Sequence, residues 1–320
     1  MPSFPLFNLP SLAVESFLCT LDMNELLELS KTSNRSKNRI RFLMKTKLDV
    51  YVAIRLCRNP YIWLSSEKKT WSFTYTSDES RTRYEPKTNS NMVFVSIQYS
   101  EDPVTDWMGK FDELRGVLGD RLDSINIELH EYPEKNKLII EWLRPLKIDK
   151  MGIESSMEVC DDVDKIQLLF VQSEMYYGRM TYGEHFKFMP PTSSYRLTIL
   201  DSSCIDLKQL SSFENRWISL YNSDLMPRDI NGFLMSWIEC NHHLNLAKFD
   251  VNVGGSETIR YVLRNIPNTI TENESRIEKI KKSFPWQIRS VYDITRCDGK
   301  IATVGSGYSD SAFRLFMIVF

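Results

Sequence analysis

The chain has 320 residues, enough for about two domains, and its 42% hydrophobic and 26% charged composition is that of a packed globular protein, not a disordered or fibrous one. Lys and Arg total 40 against 42 Asp and Glu, so the formal charge of -2 excludes a whole-molecule field for nucleic acid or anionic membrane. The 6 cysteines are widely scattered with no CxxC pair, which predicts reduced thiols in a cytoplasmic or nuclear protein.

Pro2, Pro5 and Pro10 interrupt the apolar start and Glu15 stands where a signal core would lie, so no secretory signal is expected. Pro10 suits a first helical position, where its missing N–H costs nothing, and predicts a helix to about Thr20. Val14, Phe17, Leu18 and Leu21 follow the spacing of one apolar face along it. Asp22 with Glu25 reads as a capping box, opening a second helix that presents Leu26, Leu27 and Leu29. Thr32 or Ser33 can cap a third, in which Ile40, Leu43 and Met44 form a stripe opposite Lys37, Arg39, Arg41 and Lys45. Three helices in so short a segment cannot bury their own apolar surface and need a partner or the rest of the chain.

The order Leu9-Pro10, a Leu/Phe helix, Asp22-x-x-Glu25-Leu26 and Leu29-Ser30-x-x-Ser33-x-Arg35-Ser36-Lys37 resembles the F-box of the expanded nematode family, with Phe4-Pro5-Leu6 ahead of it. Thr32-Ser33 and Ser36 replace the usual Val-Cys and Trp of that pattern. The resemblance implies docking on the Skp-type adaptor of a Skp, cullin and F-box ubiquitin ligase. The adaptor-binding residues it implies are Leu9, Pro10, Leu12, Val14, Phe17, Leu18, Leu21, Leu26, Leu29 and Ser30. Residues 31–47 carry seven basic side chains and no acidic one, a run that reads as a solvated face suited to an acidic adaptor.

Beyond residue 48 the pattern turns to alternation. Val50, Val52, Ile54 and Leu56 predict a strand, as do Trp71, Phe73 and Tyr75, and the polar stretch Thr76 to Asn91 reads as a long exposed loop. Met92 to Tyr99 reads as a strand, and Val104, Trp107, Met108, Phe111, Leu114 and Leu118 mark a helix. Ser124 to His130 and Lys137 to Leu143 read as further strands.

From about residue 165 the strands Ile166 to Val171, Tyr195 to Leu200, Trp217 to Tyr221 and Leu246 to Val251 recur, several followed by a helix, as in a degenerate leucine-rich-like solenoid. Asp229 to Cys240 and Ser256 to Ile266 read as helices, with Ser256 the N-cap of the second, and residues 272–282 as a short exposed helix or linker. Asp298-Gly299 between alternating runs predicts a terminal hairpin or three-stranded meander with Phe313 to Phe320. The expected organisation is α+β or α/β: a helical module over 1–48, a β-rich connector over 49–90 and a leucine-rich-like domain over 91–320 ending in a β-hairpin.

Leu220 to Cys240 with Trp237-Ile238-Glu239, Leu244 to Val251, and Asp293-Ile294 to Ala302 around Arg296 and Asp298-Gly299-Lys300 resemble the type-2 F-box-associated domain. That resemblance implies a substrate-recognition subunit whose C-terminal part captures a protein target. Tyr176, Tyr177 and Tyr182, in a Gly-bearing stretch read as an exposed loop, are its candidate substrate contacts. A protein-interaction module outside any ligase is the alternative.

No catalytic residue, metal or cofactor is expected. Cys240-x-His242-His243 has no second ligand pair in the sequence, His130 and His185 pair with no nucleophile by spacing, and Gly305-Ser306-Gly307 and Gly254-Gly255 read as turns. The apolar end Phe313 to Phe320 is far shorter than a membrane span.

Overall fold

The computed structural model describes residues 6–88, 92–158, 174–181, 195–309 and 312–320. It is a mixed α/β protein in which three helices precede a mixed set of strands with interspersed helices. The chain divides into two compact units, Met1–Asp149 and Lys150–Phe320, so the first holds both the helical module and the β-rich segment after it.

In the first unit, α1 (Ser11–Thr20) starts directly after Pro10, and α2 (Met23–Lys31) opens on the complete Asp22/Glu25 capping box. Ser33 caps α3 (Asn34–Leu43) by accepting from the Ser36 amide at 3.1 Å. The strands are β1 (Tyr51–Leu56), β2 (Tyr61–Ser65), β3 (Lys69–Thr76), β4 (Arg83–Thr88), β5 (Met92–Tyr99) and β6 (Arg121–Glu128). They run in the spatial order β6, β1, β2, β3, β5, β4, with β1/β6 and β3/β5 parallel and the other neighbours antiparallel. Helix α4 (Pro103–Leu118) lies against β2 and β3, burying Val104, Trp107, Phe111 and Leu114, and α2 and α3 pack on α4 in turn.

The second unit takes up β7 (Lys147–Glu158) from Lys150, and β7, β8 (Glu174–Thr181), β9 (Arg196–Ile199), β10 (Trp217–Leu220) and β11 (Lys248–Asn252) are parallel and adjacent in sequence order. The meander of β13 (Gln287–Thr295), β14 (Ile301–Tyr308) and β15 (Phe313–Val319) joins β11 through antiparallel β15, and the two-residue β12 (Thr269–Ile270) flanks β13. One face of these strands, with Leu197, Ile199, Ile218, Leu220, Phe249 and Val251, forms a buried core with Leu210, Phe213, Ile230, Phe233, Leu234 and Trp237. The hairpin turns at Gly299, whose φ of 89° is open only to a residue without a Cβ penalty.

Several local expectations are corrected. Lys137 to Leu143 lies in helix α5 (Asn136–Leu143), not a strand, because Ile139, Ile140 and Leu143 are all needed on one buried face. The supposed loop Thr76 to Asn91 contains β4, a charged edge strand interrupted by Pro86, which alternation of apolar residues does not reveal. The helix read from Ser256 to Ile266 is confined to Thr258–Val262, uncapped by Ser256, and left-handed Asn265 before Ile266-Pro267 ends the segment. Gly305-Ser306-Gly307 is not a turn but part of β14, where a Cβ on Gly305 would sit 2.5 Å from the Phe316 ring and 2.7 Å from the Ser290 carbonyl. The strand read at Ile166 to Val171 lies outside the described residues.

Candidate protein-docking site

Helix α1 carries both buried and exposed apolar side chains. Val14 and Leu18 are 5% and 1% exposed and hold the helix to the unit, whereas Leu9, ahead of the helix, Leu12 and Phe17 are 39%, 77% and 43% exposed. Leu9 stands just ahead of the N-cap Pro10, and Leu12 and Phe17, five residues apart, leave the helix on different sides, Phe17 next to the buried face.

The first unit positions α1 with polar ties. The Lys69 ammonium, on β3, donates to the Cys19 and Leu21 carbonyls at 2.5 and 3.1 Å, capping the C-terminal end of α1. Burial holds the Lys69 pKa below that of an ordinary lysine. Arg35 donates to the Phe7 carbonyl at 2.6 Å and Asn8 Oδ1 at 3.1 Å, fixing the approach to Leu9 and Pro10. Arg41 donates to the Gly116 carbonyl at the end of α4 at 2.9 Å, and Lys31 pairs with Glu113 and, at 2.7 Å, with Glu28. Much of the basic run over 31–47 therefore anchors α2 and α3 internally.

The ten residues assigned to adaptor contact by resemblance separate into three groups. Leu9, Pro10, Leu12 and Phe17 are exposed; Leu21 and Leu29 are half-buried; Val14, Leu18, Leu26 and Ser30 are buried. Sequence periodicity grouped Phe17 with Val14 and Leu18 because it lies one residue from the centre of that face. Phe42, at 52% exposure on α3, is a further exposed aromatic, off the apolar stripe of Ile40, Leu43 and Met44.

The candidate target contacts have a different fate. Glu174–Thr181 is strand β8, not a loop, and Tyr177 is wholly buried there, paired in register with Ile153 and Ile199. Tyr176 lies on the same strand, and Tyr182 lies outside the described residues, as does His185.

Possible metal ligands meet at Glu128, His130 and Glu131, whose ligand atoms lie within 4.8 Å of one another. Glu128 is already held by Arg55 at 2.6 Å, so part of its charge is neutralised within the protein. His243, from the Cys240-x-His242-His243 cluster, packs on the Phe233 ring at 4.7 Å between centroids; burial, then the neighbouring His242, depresses its pKa to about 4. Such a neutral imidazole belongs to the core of the unit. Among the described residues no helix is long and apolar enough to cross a membrane.

No protein-family model matches the chain, and comparison with curated proteins and with solved structures finds no significant match.

Proposed function

We propose that the chain is the substrate-recognition subunit of a Skp-cullin-F-box type ubiquitin ligase, docking the Skp adaptor through its N-terminal helices and a protein target through the second unit. The observation that carries this reading is the partly uncovered α1: a helix already packed through Val14 and Leu18 still presents Leu12 and Phe17, with Leu9 ahead of it, to solvent. Full burial of an exposed side chain of this size is worth roughly 1.5–3 kcal/mol; Leu12 keeps most of that for a partner, and Leu9 and Phe17 keep under half of it. The resemblance of Leu9 to Lys37 to an F-box supplies the class of partner. Catalysis is by proximity: the receptor holds a target beside the charged conjugating subunit, raising its effective concentration, and adds no chemical group of its own.

The second unit supports a target-holding role by its architecture. Five parallel strands follow one another in sequence order, and the helices Leu207–Ser211 and Pro227–Ile238, after β9 and β10, pack against each other on one face. Sequential neighbours with same-side returns are the pattern of a solenoid, and we read this as a degenerate leucine-rich-like domain behind an F-box. Both partners place the protein in the cytoplasm or nucleus.

The test is co-purification of the adaptor and cullin with Leu12→Ala/Phe17→Ala and with Leu9→Ala/Pro10→Ala. Loss of both with an unchanged circular dichroism spectrum is the expected result. Retention of the adaptor by both folded variants overturns the reading, and recovery of a target without any adaptor from the unaltered protein favours an interaction module outside a ligase.

A further inference from the structure

The sheet face opposite the apolar core of the second unit is partly closed by helix Glu274–Ser283, whose Ile280 packs with Phe284 on Phe316 and Ile318 of β15, and it turns polar on the strands beyond β15. In register across it lie Arg196 on β9, Trp217 on β10 and Lys248 on β11. The Arg196 guanidinium stands 3.8 Å and the Lys248 ammonium 4.1 Å from the Trp217 ring centroid, approaching from the strands on either side. Lys279, exposed on helix Glu274–Ser283, stands 4.7 Å from the Phe320 ring centroid.

Two acids of this face are already engaged, and Glu174 on β8 stands in register beside Arg196. Asp250 pairs with buried Arg314 and accepts from Ser219 Oγ at 2.6 Å, and Asp293 is held by Arg276 at 2.7 Å and by Thr271 and Thr303. Among the described residues, Arg196, Lys248 and Lys279 form no salt bridge. The Lys248 pKa is lowered first by burial and then by the repulsion of Arg196 and Lys279, with Asp250 acting in the opposite sense.

We infer that this face binds an extended acidic peptide segment of a protein partner, with carboxylates at Arg196 and at Lys248 and Lys279 bridged across the edge of Trp217. Arg196 and Lys248 are two strand spacings apart, roughly 10 Å at the backbone, a distance spanned by acidic side chains two or three residues apart in an extended chain and not by a single small anion. A nucleic acid is disfavoured because stacking of bases needs open aromatic faces, whereas cations from both neighbouring strands occupy the Trp217 ring. Carboxylates instead relieve the crowding of like charges and find charge-assisted donors. This inference names the chemistry of the target and rests on the second unit being the capture part.

The experiment titrates the full chain into a fluorescein-labelled peptide of Glu-Ala-Glu repeats and, separately, its Gln-Ala-Gln counterpart, read by fluorescence anisotropy. No adaptor is present, so its outcome is independent of the docking test. The Glu peptide is expected to bind about tenfold or more tightly than the Gln peptide, with affinity falling as salt rises. Arg196→Gln/Lys248→Met abolishes that preference, and the exposed Lys279→Glu change weakens binding about tenfold, deciding the matter even if the double variant does not fold. Equal binding of the two peptides, indifference to Lys279→Glu, or displacement of the Glu peptide by a lower concentration of single-stranded oligonucleotide overturns the inference.

Discussion

Helix α1 and helix Pro227–Ile238 are similar in length and both rich in apolar residues, yet the chain uses them in opposite ways. The later helix sends Ile230, Phe233, Leu234 and Trp237 to one buried face, and its remaining residues are polar, small or partly covered. Helix α1 buries only Val14 and Leu18 and leaves Leu12 and Phe17, with Leu9 ahead of it, exposed to water. One helix is finished by its own unit. The other leaves Leu12 and part of Leu9 and Phe17 uncovered, apolar surface that a partner could bury.

The contrast is sharpened first by stability. Trp237→Ala removes one of the largest fully buried side chains and is expected to destabilise the second unit by about 3–5 kcal/mol, measured by denaturant unfolding. A change below about 1 kcal/mol would mean that the later helix is not the finished element described here.

Next comes the pH response of the same core. His243 has an ordinary pKa of 6.5 when unfolded and about 4 when folded, so the folded state binds fewer protons between these values. Its contribution is complete above about pH 6.5 and is lost as the pH falls towards 4, a decline of about 3 kcal/mol. His243→Phe is expected to flatten that part of the stability profile, and an unchanged slope would place the acid sensitivity elsewhere.

Smaller effects belong to the helical module. Asp22→Ala removes one half of the capping box, costing about 1 kcal/mol in the first unit's unfolding. Leu12→Ala/Phe17→Ala, the docking variant, is expected to shift stability by no more than about 0.5 kcal/mol while adaptor binding is lost. A larger loss of stability would make these side chains part of the fold and erase the contrast between the two helices.

What could be read from the residues tracks how local each cause is. The Asp22/Glu25 box and the Asp298-Gly299 turn depend on side chains reaching backbone groups two or three residues away, so spacing located them, whereas the third cap stayed open between Thr32 and Ser33 until the structure gave Ser33. Lys137 to Leu143 was ambiguous because seven residues satisfy both a strand and one helical face, and burial of Ile139, Ile140 and Leu143 together settled the choice. Strand β4 escaped because an edge strand need not alternate, and its pairing with β5 is visible only once β5 has a place in the sheet. At the candidate site, the sequence marked α1 as apolar but could not divide Val14 and Leu18 from Leu12 and Phe17.

The cationic face of the second unit was invisible in the sequence for a related reason. Arg196, Trp217, Lys248 and Lys279 lie 21, 31 and 31 residues apart in succession, and parallel pairing of β9, β10 and β11 brings the first three into one row. The sequence by itself determined the helical starts, the tight turns, the neutral overall charge and the existence of a short helical module with excess apolar surface, since each follows from near-neighbour chemistry or a sum over residues. Tertiary structure alone decided which side chains of α1 are left in water and which cations share a sheet row, because burial and strand register are set by segments far apart along the chain.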